Sequence, residues 1–308
     1  MSPVGLGCWQ FSEAKGMGRY WPALPQDTVN EIVAASLAGG TTWFDTAEIY
    51  GGGRSESALA RALIAAGKKS GEVLIATKWW PVLRSAGNIK RTIGERLARL
   101  APFGIDLYQI HSPIAFSSTS AQMRAMADLL ANQRIRAVGV SNFSARRMRA
   151  AHADLASRGI ALVSNQVRYN LLDRRIETNG VLDTAKELGI TIIAYSPLAQ
   201  GLLSGHFHRD PTIIHRRAGP RKWMPAFRAS GLQRSRMVVE ALQELAQAYG
   251  VTPSQVALNW LLLFHGKVVV VIPGATRVQQ AVENAAAAGF RLSIRDLERL
   301  DQLSRSFL

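Results

Sequence analysis

The sequence predicts an α/β protein built as a (β/α)8 barrel of the TIM type. Short apolar runs rich in branched residues recur at a spacing of about 30 residues, the length of a strand with its crossover helix. Amphipathic stretches with helical spacing lie between these runs. No Gly-x-Gly-x-x-Gly follows the first run, which disfavours the alternative, an open doubly wound sheet with a dinucleotide site.

The apolar runs are short enough to be strands that are buried on both faces of a parallel sheet. Eight of them are found, so the barrel fits the count better than an open sheet does. The predicted strands are Pro3–Leu6, Thr42–Phe44, Val73–Thr77, Ile105–Ile110, Ala137–Val140, Ala161–Val167, Thr191–Ala194 and Val268–Ile272.

The predicted helices have apolar residues on one face and several end in glycine, which favours helix termination. Thr252 and Pro253 form a helix start signal. The predicted helices are Asp27–Gly40, Ser55–Gly67 with Ser55 as N-cap, Asn88–Leu100, Thr119–Asn132, Ser144–Gly159, Glu177–Gly189, Arg234–Tyr249, Pro253–Phe264 and Ser293–Ser304.

One long segment interrupts the alternation, between Tyr195 and about Gln233, and it is rich in Gly, Pro, Arg and His. Loops of this length are usually functional. In a barrel this segment would follow strand seven and overhang the C-terminal face. We find no linker or repeat, so the sequence predicts one domain over residues 1–308.

Composition excludes several classes of protein. With 308 residues, 47% of them apolar, the chain can bury a large core, and its single Cys8 allows no internal disulfide. The N-terminus lacks the features of a signal peptide, and no apolar run is long enough to cross a bilayer. We therefore expect a cytoplasmic protein that does not enter a membrane.

The formal charge of +15 raises the alternative of nucleic-acid binding. The basic residues are scattered, however, and no nucleic-acid-binding signature is present. Solvated helix faces explain most of them, and no specific nucleic-acid partner is expected. The charge also suits an anionic cofactor or substrate.

Polar residues follow the predicted strands at the end where barrel enzymes hold their chemistry. Asp45, Lys78 and His111 end strands two to four, and Tyr50 follows Asp45 after five residues. A tyrosine can donate a proton, a lysine cation lowers its pKa, an aspartate holds the lysine, and a histidine orients a carbonyl oxygen. His111 has no His or Cys partner at ligand spacing, so we expect no metal site.

The chain resembles the aldo-keto reductase family, in the long-loop branch related to potassium-channel β subunits. Its motifs appear in family order across nearly the whole chain, so the match does not depend on one of them. They are GLGCW (5–9), WFDTAEIYGGGRSE (43–56), ATKW (76–79), DLYQIHSP (106–113), GVSNF (139–143), NQVRYN (165–170), YSPLAQGLL (195–203) and IPGATRVQQAVEN (272–284).

The resemblance implies a nicotinamide cofactor and a catalytic tetrad of Asp45, Tyr50, Lys78 and His111, with Tyr50 as proton donor. It implies that Ser141, Asn142 and Gln166 bind the nicotinamide carboxamide and that Tyr195 stacks on the ring. It assigns Ser196, Leu198, Gly201 and Leu203 to the pyrophosphate and ribose. It assigns Gly274, Thr276, Arg277, Gln280, Glu283 and Asn284 to the adenosine end.

The sequence departs from the family pattern at two places. Many relatives carry a hairpin before the first strand that closes the bottom of the barrel, whereas this sequence opens almost on strand one. The frequent Lys-Ser pair after the last proline is replaced by Gly274–Ala275, which weakens the inference of a 2′-phosphate site. Arg277 can meet such a phosphate, so NADPH is favoured over NADH.

The leading interpretation is an NADPH-dependent reductase of an aldehyde or ketone, and the sequence is compatible with a monomer or a homo-oligomer. Alternatives are a redox-sensing regulatory subunit that holds the cofactor with little turnover, and a Schiff-base lyase with Lys78 as nucleophile. Trp9, Trp21 and Trp79 are expected to line the substrate pocket, with Tyr20, Trp80 and Trp223 as further candidates. At most one of Trp79 and Trp80 should face the site, since neighbouring side chains of a strand alternate.

Overall fold

The computed structural model describes residues 1–14, 21–216 and 220–308, and within them the predicted barrel is confirmed. Eight parallel strands pair in the order of the sequence. They are β1 Leu6–Gly7, β2 Trp43–Asp45, β3 Leu74–Trp79, β4 Leu107–Ile110, β5 Ala137–Ser141, β6 Leu162–Arg168, β7 Thr191–Tyr195 and β8 Val269–Val271.

Bridges between the first and the last strand close the barrel. Val4 and Gly7 pair in parallel with Val271 and Gly274. The Gly5 amide donates to the Val271 carbonyl at 2.9 Å. Closure leaves neither edge of the sheet without a partner.

Helices surround the strands and cover their outer faces. Side-chain N-caps begin several of them, among them Ser118, Ser144 and Ser293, and Thr252 forms a capping box with Gln255. The helices are α1 Gln26–Ala38, α2 Arg54–Ala65, α3 Gly87–Leu100, α4 Thr119–Ala131, α5 Ala145–Ala156, α6 Val181–Leu188, α7 His206–Arg209, α8 Ala229–Tyr249, α9 Pro253–Leu263, α10 Val278–Ala286 and α11 Ile294–Ser304.

Two predicted helix starts are wrong. Helix α2 begins after Gly53, whose φ of +87° makes it the N-cap, so Ser55 lies inside the helix instead. The Ser55 hydroxyl donates to the Cys8 carbonyl at 2.6 Å. Helix α6 begins at Val181, because Gly180 has a φ of +80° and separates it from the short 3-10 turn Arg175–Glu177.

The interior of the barrel has an apolar part and a polar part. Trp43, Ile193, Val270 and Ile272 form an apolar cluster separate from the main core between strands and helices. At the N-terminal end a cavity of about 380 Å³ is lined by Met1, Trp43, Leu74, Leu107, Ala137 and Thr191, among others. Side chains therefore do not fill this end of the barrel completely.

The long segment after β7 contains α7 and several short 3-10 helices, as expected of an extended loop. Residues 217–219 of this segment lie outside the described part of the chain. No helix in the described part is long and apolar enough to cross a membrane.

Gly5 provides a test of the packing where the first and the last strand close the barrel. A Cβ at this position would lie 2.3 Å from the Trp43 ring, which is 1% exposed, so the ring would have to shift. We expect Gly5→Ala to lower the free energy of unfolding by about 1–3 kcal/mol through overpacking. Gly104→Ala is the control, because nothing lies within 4 Å of its Cβ position.

Urea unfolding of both variants measures the effect. Tight packing of Gly5 against Trp43 would be contradicted if the two substitutions changed the free energy of unfolding equally.

Candidate active site

A buried ion pair lies at the C-terminal end of β2 and β3. The Lys78 ammonium donates to an Asp45 carboxylate oxygen and, at 2.8 Å, to the Thr46 carbonyl. The side chains of Lys78 and Asp45 are 0% and 2% exposed. Both residues point into the barrel. Asp45 pairs with Ala76, and Lys78 lies two residues after Ala76 on β3, so their side chains are on the same face of the sheet.

Tyr50 reaches this pair from the loop between β2 and α2. Its hydroxyl lies 3.4 Å from Lys78 Nζ, and the ammonium lies 5.0 Å from the ring centroid. The loop turns back through Gly51, Gly52 and Gly53, which all have positive φ. A Cβ on Gly51 would lie 2.4 Å from the Ser12 carbonyl, so only glycine fits this turn.

His111 completes the group of four that the sequence predicted. Its ring lies 5.7 Å from the Tyr50 ring, centroid to centroid, in an edge-to-face arrangement. Its Nδ1 atom is buried and has no hydrogen-bond partner among the described residues. The structure thus brings Asp45, Tyr50, Lys78 and His111 together at one end of the barrel.

The electrostatics of the four residues differ in one respect from the sequence prediction. Burial raises the pKa of Tyr50, and the opposing effect of Lys78 offsets only part of that rise. Burial lowers the pKa of Lys78, but Asp45 outweighs it and the net pKa is raised, so the lysine stays charged. Burial and Lys78 hold the pKa of His111 well below its usual range, so this imidazole is neutral at pH 7.

Two glutamines bind the second oxygen of Asp45. Gln166 Nε2 donates to it at 2.8 Å and Gln109 Nε2 at 3.3 Å. Gln109 was missed by the sequence reasoning. It lies on β4 two residues before His111, and this spacing places both side chains on the inner face. Gln166, which the resemblance assigns to the nicotinamide carboxamide, uses its amide to contact Asp45.

Residues assigned to the nicotinamide form one hydrogen-bonded group at the ends of β5 to β7. Tyr195 donates from its hydroxyl to Asn142 Oδ1 at 3.1 Å. The Asn142 amide donates to the His111 carbonyl at 3.2 Å and to the Ser141 hydroxyl at 3.0 Å. Ser196 follows directly, with its carbonyl accepting from the Asn170 side chain.

The segment assigned to the pyrophosphate is only partly suitable. Gly201 has a φ of +96° and its amide donates to the Leu198 carbonyl, which shapes a tight turn after β7. Leu203 is fully buried in the core and its amide donates to the same Leu198 carbonyl. The assignment of Leu203 is therefore wrong, since a fully buried residue with a bonded amide offers a ligand no contact.

The adenosine-end residues gather where the chain leaves β8 and enters α10. Gln280 Oε1 accepts from the Thr276 amide at 2.8 Å, and Asn284 donates to the Gly274 carbonyl at 3.3 Å. Arg277 is the N-cap of α10 and its side chain is exposed. Glu283 accepts from the Gln279 amide at 3.0 Å, so its carboxylate contacts a side chain of its own helix, α10.

Aromatic residues flank the four central residues. The Trp9 ring lies 6.0 Å from the Tyr50 ring and 6.2 Å from the Trp21 ring. Trp80 packs edge-on to His111 at 5.2 Å. Tyr20 lies outside the described residues, and Trp223 is 64% exposed.

The assignment of Trp79 to the substrate pocket is wrong. Trp79 is fully buried among the helices and its indole donates to Asn88 Oδ1 at 2.9 Å. Strand alternation is the cause: Lys78 points into the barrel, so Trp79 points outward and Trp80 returns to the inner side. The same alternation, counted from Lys78, would have selected Trp80 from sequence.

A buried charged cluster adjoins the site and was also missed. The Arg96 guanidinium lies 3.0 Å from Glu48 and 3.2 Å from Glu56. Thr77 donates to Glu56 at 2.7 Å. The Arg96 Nε–H is not aligned with the nearby Glu56 oxygen, and neither atom has a hydrogen-bond partner in the described chain.

Comparison with known proteins gives a consistent result. The sequence model of the "Aldo/keto reductase family" matches residues 3–305. An uncharacterized oxidoreductase of Mycobacterium bovis is 40% identical over 309 residues, covering 100% of this chain and 90% of that protein.

Solved structures agree in fold. The glycerol dehydrogenase of Gluconobacter oxydans has a TM-score of 0.83 and 27% identity, covering 100% of this chain and 93% of that one. An aldo-keto reductase of Klebsiella pneumoniae, solved with NADPH, has a TM-score of 0.73 and 26% identity, covering 99% of this chain and 91% of that one.

Glu56 provides a test of the buried cluster. Burial raises its pKa from 4.5 to about 7, with Arg96 opposing the rise. The folded protein thus holds this proton more tightly than the unfolded chain does. Its contribution to stability is complete below pH 4.5 and is lost as pH rises through 7. Relative to Glu56→Gln, we expect the wild type to lose about 2–3 kcal/mol of unfolding free energy between pH 5 and 8.

Urea unfolding of both proteins at the two pH values measures this difference. Glu187→Gln is the control, because that carboxylate is exposed and its pKa is lowered by Arg149. If the difference in unfolding free energy between wild type and Glu56→Gln were the same at both pH values, the raised pKa of Glu56 would be refuted.

Proposed function

The chain belongs to the aldo/keto reductase family, and we propose that it is an oxidoreductase that reduces an aldehyde or ketone to an alcohol with NADPH. The observation that carries the proposal is the position of the Tyr50 hydroxyl. It lies 3.4 Å from a lysine ammonium that is held by a buried carboxylate, at the C-terminal end of a barrel. Barrel enzymes hold their reacting groups at this end.

The residues at the barrel mouth fit a dinucleotide. A Cβ on Gly274 would lie 2.1 Å from the Gln10 amide nitrogen, so glycine here lets the Gln10 side chain lie against the β8 end. Gln10 Oε1 is buried without a partner in the described part of the chain, which leaves an acceptor there. Asn142 and Tyr195 would hold the nicotinamide, and Thr276, Arg277 and Gln280 the adenosine end.

Each of the central residues has a distinct part in the proposed reaction. Bound NADPH supplies a hydride. Tyr50 donates its proton to the carbonyl oxygen, so that hydride and proton together convert the carbonyl to an alcohol. Lys78 stabilises the phenolate that Tyr50 becomes, and neutral His111 donates a hydrogen bond that orients the same oxygen.

The electrostatics favour a proton donor in this position. Because burial raises the pKa of Tyr50, the phenol is protonated at neutral pH. Because Lys78 is charged and near, the phenolate is stabilised once the proton has left. Asp45 keeps the lysine in place without contacting the substrate position.

The aromatic flank supports a carbonyl on an apolar or flat carrier. Trp9 and Trp80 border Tyr50 and His111 on two sides. Such rings contribute apolar contact area but few hydrogen bonds.

Tyr50→Phe tests the proton transfer. Removing the hydroxyl should lower kcat by about 10²–10⁴-fold, the usual contribution of a positioned acid, in an assay of NADPH oxidation with a panel of aldehydes and ketones. The dissociation constant for NADPH should stay within about threefold, because the ring remains. Tyr249→Phe, which removes a remote hydroxyl bonded to Asp296, is the matched control.

The proposal fails if Tyr50→Phe turns over like the wild type. A wild type that binds NADPH tightly and reduces no carbonyl would favour a redox-sensing subunit instead.

Arg277→Ala tests the cofactor preference. The exposed guanidinium can pair with a 2′-phosphate, so its loss should weaken NADPH binding by about tenfold. NADH lacks this phosphate, and its affinity should change by no more than about twofold. Fluorescence titration of both cofactors measures the effect, with Arg291→Ala as the control. Equal weakening for the two cofactors would contradict the assignment of Arg277.

A further inference from the structure

The distance between Tyr50 and Lys78 depends on how one loop is held against one strand. Tyr50 belongs to the loop between β2 and α2, whereas Lys78 belongs to β3. The main chain of the loop follows β3 for a short distance: the Thr46 amide donates to the Ala76 carbonyl at 2.8 Å and the Glu48 amide to the Lys78 carbonyl at 3.3 Å. Beyond Glu48 this main-chain pairing ends, two residues before Tyr50.

The Glu48 side chain continues the connection where the main chain stops. Its Oε1 accepts from the Trp80 amide at 2.5 Å and from the Arg84 guanidinium at 2.7 Å. Its Oε2 accepts from Arg96 on α3 at 3.0 Å. A carboxylate that is 5% exposed thus ties the loop to the end of β3, to the following loop and to a helix. Hydrogen bonds to an ionised group are stronger than neutral ones.

We infer that Glu48 is a positioning residue that holds Tyr50 at its distance from Lys78. The inference rests on the proposed reductase function, in which that distance determines proton transfer. Glu48 contacts none of the reacting groups. It acts through the backbone that joins it to Tyr50 and through the Trp80 amide, which lies two residues after Lys78.

The same carboxylate also affects the other side of the site. Trp80 packs edge-on to His111 at 5.2 Å between ring centroids. Because Glu48 fixes the Trp80 amide, it restricts the position of the indole that borders His111. One side chain therefore supports both the proton donor and the residue that orients the carbonyl.

Compensation of the Arg96 charge is only part of what Glu48 does. Arg96 contacts two other carboxylates, Glu56 at 3.2 Å and Glu95 at 2.8 Å. Glu48 shares in compensating the buried Arg96 guanidinium, so its removal lowers stability as well as breaking the loop contact. Of these three carboxylates, Glu48 is the one that bonds the Trp80 amide and Arg84.

The experiment compares Glu48→Ala, Glu48→Gln and the control Glu95→Gln. Glu95 contacts the same Arg96 but is 54% exposed and does not contact the Tyr50 loop. We expect Glu48→Ala to lower kcat by about 10–100-fold, as loss of a charge-assisted hydrogen bond does. The dissociation constant for NADPH should stay within about twofold, and so should kcat in Glu95→Gln.

Two further readouts separate positioning from general stability. Glu48→Gln keeps an oxygen that accepts from the Trp80 amide, so it should recover at least a third of the lost kcat on a logarithmic scale. Hydrogen–deuterium exchange should rise in Glu48→Ala in the loops at residues 46–53 and 80–86 and stay unchanged in the strands β4 to β8.

The outcomes are distinct. A folded Glu48→Ala protein with wild-type kcat overturns the inference, and so does faster exchange spread evenly over the barrel. If the wild type shows no turnover that Tyr50→Phe abolishes, the proposed function fails instead. In that case hydrogen–deuterium exchange in Glu48→Ala is the test of positioning. A selective rise at residues 46–53 supports the role of Glu48, and no rise there overturns it.

Discussion

The buried ion pair between Asp45 and Lys78 is the constraint on which the rest of the site depends. Both charges are almost inaccessible to water, so removing either would leave the other uncompensated at a cost of about 3–5 kcal/mol. The pair therefore requires the ends of β2 and β3 to lie side by side, and the register of the two strands places them so. The loop that carries Tyr50 starts from this fixed point.

The remaining contacts of the pair explain why the chemistry lies at one end of the barrel. Asp45 uses its second oxygen to accept from Gln109 and Gln166, so a polar layer spans the interior. Toward the N-terminal end, Trp43, Ile193 and Val270 form an apolar layer in which no such charge would be compensated. Lys78 therefore directs its ammonium toward the mouth, where Tyr50, His111 and the proposed cofactor residues lie.

The sequence was sufficient for the features that depend on local pattern. Strand alternation, helix caps such as Thr252, and polar residues at strand ends predicted the barrel and the convergence of Tyr50, Lys78 and His111. Features set by distant partners were not predictable in this way. Ser55 bonds a carbonyl 47 residues away, and Glu48 meets Arg96 across 48 residues. The direction of the Tyr50 pKa depends on burial, which the charge pattern does not contain. Trp79 was the exception, since alternation from Lys78 already excluded it.

The central claim is that one position at the barrel mouth serves both hydride and proton transfer. A crystal structure with NADPH tests it most directly. The account predicts that the nicotinamide lies beside Asn142 and Tyr195. A carbonyl carbon about 3–3.5 Å from nicotinamide C4 would then place its oxygen about 2.6–3.2 Å from the Tyr50 hydroxyl. A nicotinamide too far from Tyr50 for one carbonyl to reach both, or bound away from the mouth, would contradict it.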